Sequence, residues 1–120
     1  MAAITLVLGA SPDPSRYSHR AVLHLRAYGH EVIALGKREG TIGDVPIEKR
    51  IPPNSTVDTV TLYLSAAHQE VLRESINALH PRRVIFNPGA ENPDFARQLK
   101  DAGIEALDAC TLVMLSVGAY

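Results

Sequence analysis

At 120 residues, with 46% hydrophobic and 21% charged side chains and a mean hydropathy of zero, the chain has the length and balance of one soluble globular domain, which excludes disorder over most of it. A domain of this size buries roughly two-thirds of the surface its unfolded chain exposes, so it holds a core without metals, and the single cysteine, Cys110, excludes an internal disulfide. Twelve Lys plus Arg against 13 Asp plus Glu give a net charge of −1, which argues against a general electrostatic grip on nucleic acid or a membrane surface. Any anionic ligand must therefore be held by local charge. No charged-then-apolar leader stands over Met1 to Gly9 and no apolar run is long enough to span a bilayer, so a reducing cytoplasm is the expected compartment.

In chain order, Ala3 to Leu8 is nearly continuous aliphatic and bounded by Gly9, as a strand buried on both faces requires. From Ser18 the period changes: Ala21, Val22, Leu25 and Tyr28 fall at helical spacing, and Gly29 is placed to end the helix in the left-handed conformation. Glu31 to Leu35 and Thr59 to Leu64 read as the second and third strands, rich in residues that favour the extended backbone. Val71, Leu72, Ser75, Ile76 and Leu79 form one helical face, Arg82 to Phe86 the fourth strand, and Phe95, Ala96, Leu99 and Ala102 another helical face. That last helix has clear ends, with Asn92 able to cap, Pro93 suited to the first helical position and Gly103 to terminate it. Glu105 to Leu107 completes the alternation as a fifth strand. Gly36 to Val57, with three glycines and three prolines, reads as one long irregular connection. Ala109 to Tyr120 fits either a helix capped by Asp108 and ending at Gly118 or, through Val113 and Val117, a strand; its apolar side chains also suit a contact with a second copy or a partner protein.

Strands alternating with amphipathic helices predict a single doubly wound, Rossmann-like α/β domain over residues 1–120, with a five-stranded, mainly parallel sheet and helices on both faces. Ligands of such folds bind at the carboxyl ends of the strands, so the loops after the strands are read together. The first, Gly9-Ala10-Ser11-Pro12-Asp13-Pro14-Ser15-Arg16-Tyr17-Ser18, matches neither the three spaced glycines of the dinucleotide fingerprint nor a P-loop. Gly9 and Ala10 still permit close backbone approach, Ser11 and Ser18 offer hydroxyls, Arg16 a positive charge, and the amides of the first helical turn a site for phosphate. Ser18 equally suits an N-cap.

These features, in order, resemble the CoA-binding domain family, small stand-alone proteins related to the amino-terminal domain of the succinyl-CoA synthetase α-subunit. The resemblance extends over nearly the whole chain. It rests on Gly9-Ala10-Ser11 with Ser18, on Gly29-His30-Glu31-Val32-Ile33, on Thr41-Ile42-Gly43, on Asn87-Pro88-Gly89 after the fourth strand, and on Asp108-Ala109-Cys110. Where the family has Asn-Pro after the second strand, this chain has Gly36-Lys37. The resemblance implies coenzyme A or an acyl-CoA laid across the strand ends, with Gly9, Ala10, Ser11 and Ser18 at the phosphates and Lys37 or Arg38 at the charged ribose phosphate. It further implies Tyr63, Leu64 and Ser65 along the adenine or pantetheine path, and Asn87, Pro88 and Gly89 where the arm leaves.

No catalytic constellation stands out. The five histidines, His19, His24, His30, His68 and His80, lack metal-ligand spacing, and one cysteine cannot build a thiolate zinc site. His19 falls beside the phosphate loop, and Cys110 is a candidate free thiol. Ser11 lies outside the Gly-x-Ser-x-Gly context that exposes a nucleophile. The leading expectation is thus non-catalytic binding of CoA or an acyl-CoA. An NADP-dependent oxidoreductase or NADP-binding module on the same fold is the alternative, since Leu35-Gly36-Lys37-Arg38 offers cations rather than the carboxylate that an NAD ribose requires. An interaction protein with a decayed site is the third reading.

Overall fold

Ile4–Leu8 (β1) is aliphatic on both faces because it is the middle of a sheet covered on both sides, as described for residues 3–120 by a computed structural model. Met1 and Ala2, where the segment read as lacking a leader begins, lie outside the described residues. After β1 come α1 (Tyr17–Ala27), β2 (Glu31–Leu35), β3 (Thr41–Ile42), β4 (Val45–Glu48), β5 (Thr59–Leu62) and α2 (Ala66–Gln69). A 3₁₀ turn, Glu70–Leu72, leads into α3 (Arg73–Leu79), and β6 (Arg83–Phe86), α4 (Pro93–Asp101), β7 (Glu105–Asp108) and α5 (Thr111–Ser116) complete the chain. The tight turn at Glu70–Leu72 aims Val71, expected on the apolar helical face, into solvent, where it is 84% exposed.

The sheet has seven strands rather than the expected five, in the order β3-β4-β2-β1-β5-β6-β7, and it is mixed, mainly parallel as expected but with one antiparallel pair. The two additional strands lie in the stretch read as irregular. Gly43, at φ +60°, turns the chain so that Ile42 pairs with Val45 and Thr41 with Pro46 in an antiparallel hairpin, and Ile42, Val45 and Ile47 are buried. A two-residue strand is too short to show a period, and Pro46 argues against a ladder except at an edge. The other neighbouring strands pair in parallel.

Alternation along β1 divides the core. Leu6 and Leu8 join Val60, Leu62, Phe86, Ile76, Phe95 and Leu99 under α3 and α4, whereas Val7 joins Val22, Leu25, Ala34 and Leu115 under α1 and α5. The helix ends follow local chemistry. Gly29, at φ +86°, closes α1 with the His30 amide donating to the Leu25 carbonyl (2.9 Å), and the Asn92 side chain caps α4 by accepting from the Phe95 amide (3.2 Å). The tail is helical, but α5 starts at Thr111 after Cys110 because β7 extends through Asp108, the residue expected to cap it. Among the described residues no helix is long and apolar enough to cross a membrane.

From β1 the chain steps one way to β2 and β4, then crosses back past β1 to β5. The strand order therefore reverses between β1 and β5, the place at which folds of this class hold ligands in a crevice at the strands' carboxyl ends.

Candidate functional site

Two backbone approaches shape this crevice. Gly9, at φ +92°, follows β1, and a methyl group added there would lie 3.1 Å from the Tyr63 carbonyl carbon and oxygen and 3.2 Å from Leu64 Cδ2. Gly36, after β2, faces the same loop from the other side, where an added methyl would lie 2.2 Å from the Ala10 carbonyl oxygen. Gly36→Ala is expected to push the two loops apart at a cost of about 1–3 kcal/mol, the usual penalty of overpacking, read as a lower urea midpoint with an unchanged slope.

The amides of Gly9 and Ala10, expected to face phosphate, both donate to the Leu35 carbonyl, at 3.0 and 2.8 Å. The free donors lie further on. Arg16 rather than Ser18 is the N-cap of α1, it makes no side-chain cap, and the amides of Tyr17, Ser18 and His19 have no acceptor among the described residues. Ser18 is buried in the first turn. The loop feeding this turn is held in shape by its own side chains. Ser11 Oγ accepts from the Asp13 amide (3.1 Å), and the buried His19 ring donates from Nδ1 to the Ser11 carbonyl (2.9 Å). The Ser15 amide and hydroxyl donate to Asp13 Oδ1 and hold the Asp13 carboxyl below its usual range, with Arg16 and Arg38 acting in the same direction. Cations from the loops after β1 and β2 thus bear on one carboxylate.

Lys37 and Arg38 are exposed at the end of β2, and Lys49 Nζ reaches across to donate to the Lys37 carbonyl (2.5 Å). Lys49, Arg50 and Ile51 line a cleft of about 480 Å³ between the segment after β4 and α3, with Leu35, Leu72 and Leu79 as its apolar wall. Nothing in the sequence singled out Lys49, which lay inside the stretch read as irregular.

After β5, Tyr63 is half-buried and turned under α1 and α5. Its hydroxyl is enclosed near Thr61 and Thr111 without a well-formed hydrogen bond, and burial pushes its pKa up to about 12. Leu64 is half-buried, and Ser65, the N-cap of α2, places Oγ 2.8 Å from His68 Nδ1. A buried amide braces this turn from behind: Gln69 Nε2 donates to the carbonyls of Leu64 (2.8 Å) and Ala90 (2.7 Å), while Gln69 Oε1 accepts from Asn92 (2.9 Å). Gln69 occupies the position in the helical pattern just before Leu72, Ile76 and Leu79, and a polar residue on that apolar face is the signal that could have revealed it.

The Asn87-Pro88-Gly89 turn behaves differently from the other loops. Pro88 and Gly89 are exposed, but Asn87 is buried, its Nδ2 donating to Thr61 Oγ1 (2.6 Å) and the Leu62 carbonyl (2.9 Å) and its Oδ1 accepting from the Thr111 amide (2.9 Å). Its side chain locks β5, β6 and α5 together. The crevice accordingly brings together Gly9, Ala10, Tyr63 and Leu64, with Arg16 and Arg38 at its charged edge, while the Asn87 side chain faces inward. Among the described residues no cluster of His, Cys, Asp and Glu is arranged to hold a metal ion.

A family model described as a CoA binding domain matches residues 4–116. The fold is similar to that of a crystal structure of an uncharacterized protein, with 42% identity, a TM-score of 0.94, and coverage of 100% of this chain and 99% of that one. It is also similar to that of cell-free ID.343 from Thermus thermophilus (24% identity, TM-score 0.87, 99% and 91% covered). A third similarity is to the dinucleotide-forming acetyl-coenzyme A synthetase 1 of Ca. Korarchaeum cryptofilum (14% identity, TM-score 0.73), where 88% of this chain aligns with 25% of that one. No curated protein matches the chain.

Proposed function

Because the chain belongs to the CoA-binding domain family, we propose that it binds coenzyme A or an acyl-CoA in the crevice between the carboxyl ends of β1 and β5. The observation that carries this reading is the start of α1. There, the unaccepted amides of Tyr17, Ser18 and His19 stand beside Arg16 in a first turn with no side-chain cap. Such a turn presents partial positive charge and aimed donors, the arrangement that meets a pyrophosphate. Gly9 and Ala10 contribute by keeping the rim low rather than by donating, and Ser11 by fixing the loop. Lys37 and Arg38, with Lys49 beside them, meet the ribose phosphate, and the cleft along Leu35, Ile51 and Leu72 has the volume for an adenosine. Tyr63, Leu64 and Ser65 line the path of the pantetheine arm, which leaves past Pro88 and Gly89.

Native mass spectrometry of protein purified without added ligand tests the class. A retained mass equal to CoA or an acyl-CoA supports the reading, and retention of NADP would replace it with the oxidoreductase alternative. The charged edge makes a separate prediction. A charge-assisted hydrogen bond contributes roughly 1.5–3 kcal/mol, and each 1.4 kcal/mol is about tenfold in affinity. CoA is therefore expected to bind about tenfold or more tightly than dephospho-CoA, NAD to bind poorly, and Lys37→Ala with Arg38→Ala to erase the preference in calorimetric titrations. Equal binding of CoA and dephospho-CoA by the wild-type protein removes the role given to these two residues.

A further inference from the structure

We propose that Ser65 and His68 form a nucleophile–base pair that cleaves the thioester of an acyl-CoA held at this rim, an activity that rests on the CoA reading above. Ser65 Oγ lies 2.8 Å from His68 Nδ1, and both residues are exposed. With its ring proton on Nε2, the imidazole accepts the serine proton at Nδ1, the first requirement of an activated hydroxyl. A serine at an N-cap ordinarily accepts from an amide two or three residues on. Ser65 makes no such bond, so its hydroxyl is engaged by the imidazole alone.

Position and rigidity agree with this role. Ser65 stands immediately beyond Tyr63 and Leu64, the residues in van der Waals reach of the Gly9 position at the mouth of the crevice. The turn that carries it is pinned by the buried Gln69 amide through the Leu64 and Ala90 carbonyls. The nucleophile is thus fixed on the edge of the crevice rather than carried on a free loop, and a geometry held before substrate arrives is what such a step requires. A serine and a histidine three residues apart meet only where the backbone turns helically between them, which is why the spacing alone did not distinguish His68 from the other histidines.

The chemistry balances within the pair. Ser65 Oγ bonds to the thioester carbonyl carbon as its proton passes to His68 Nδ1; the carbon–sulfur bond breaks, and the proton goes to the departing sulfur, giving free CoA and an acyl-serine. Water then attacks the ester carbon, His68 takes the water's proton and returns it to Oγ, and a carboxylic acid leaves.

Acetyl-CoA and a fluorophosphonate probe test the proposal on the intact protein, with released CoA followed by chromatography because Cys110 is a free thiol. The wild-type protein and the distant surface variant Ser116→Ala are expected to release CoA at equal rates, and peptide mass spectrometry is expected to find the probe on Ser65. Ser65→Ala should release none and take no label. His68→Gln should slow release by about a hundredfold or more, the usual worth of a positioned base. Release undiminished in Ser65→Ala, or calorimetric CoA binding by a wild-type protein that neither turns over acetyl-CoA nor labels, overturns the hydrolytic pair. Labelling at Ser65 in a protein that does not bind CoA overturns the CoA reading, and with it the thioester as substrate.

Discussion

Replacing Gly9 with valine is expected to lower CoA affinity by at least a hundredfold, about 2.7 kcal/mol, to the limit of detection by calorimetry. Gly9 sits at φ +92°, a backbone region that a β-branched residue adopts only under strain of roughly 1–3 kcal/mol. The new side chain would also start 3.1 Å from the Tyr63 carbonyl and grow into the crevice. Both effects act where β1 passes into the loop leading to the free amides of α1. Circular dichroism establishes whether the variant folds, and Gly9→Ala, with less bulk at the same φ, provides a graded second point. Wild-type affinity in a folded Gly9→Val variant places the phosphates elsewhere.

The largest loss of stability is expected from Asn87→Ala. The substitution removes both donors and the acceptor that serve Thr61 Oγ1, the Leu62 carbonyl and the Thr111 amide, all in a buried setting. Of the three, the Thr111 amide is left without an acceptor, at about 1–3 kcal/mol, while Thr61 Oγ1 keeps Thr111 Oγ1 (2.8 Å) and the Leu62 carbonyl keeps the Asn87 amide (3.3 Å), so each of these loses one hydrogen bond of about 1 kcal/mol. A net loss of about 3–4 kcal/mol is a large part of the roughly 5–15 kcal/mol that holds a domain together. It corresponds to a fall in Tm of roughly 10–15 °C by calorimetry at this chain length. A midpoint within about 2 °C of wild type would mean that water replaces the side chain.

Asn87 illustrates how far the site was legible in the sequence. Its place after a strand, in a turn with Pro88 and Gly89, is written in composition and order. Its inward bonds depend on Thr61 and Thr111, 26 and 24 residues away along the chain, and no local pattern announces a contact of that kind. The C-terminal end of α1 and both ends of α4 were legible because Gly29, Asn92 and Gly103 act through their own backbone and side chains within one turn. The hairpin of β3 and β4 was not, because its pairing depends on β2 lying beside it. The same holds in the loop after β1: that Gly9 and Ala10 donate to Leu35 follows from the adjacency of β1 and β2 rather than from the loop's own residues.

The hairpin that extends the sheet also determines what its margins offer to other chains. On one side the outermost strand is only two residues long and is preceded by Lys37, Arg38 and Glu39; on the other, β7 runs for four residues between Glu105 and Asp108, both exposed. An unpaired margin recruits further strands when it is long, flat and uncharged. Here each is brief, so growth of the sheet by addition of another molecule gains little new pairing, and two β7 margins meeting would also bring the carboxylates of Glu105 and Asp108 together. Concentrated solutions of the folded protein should therefore resist fibril formation, and thioflavin fluorescence should rise only under conditions that unfold it.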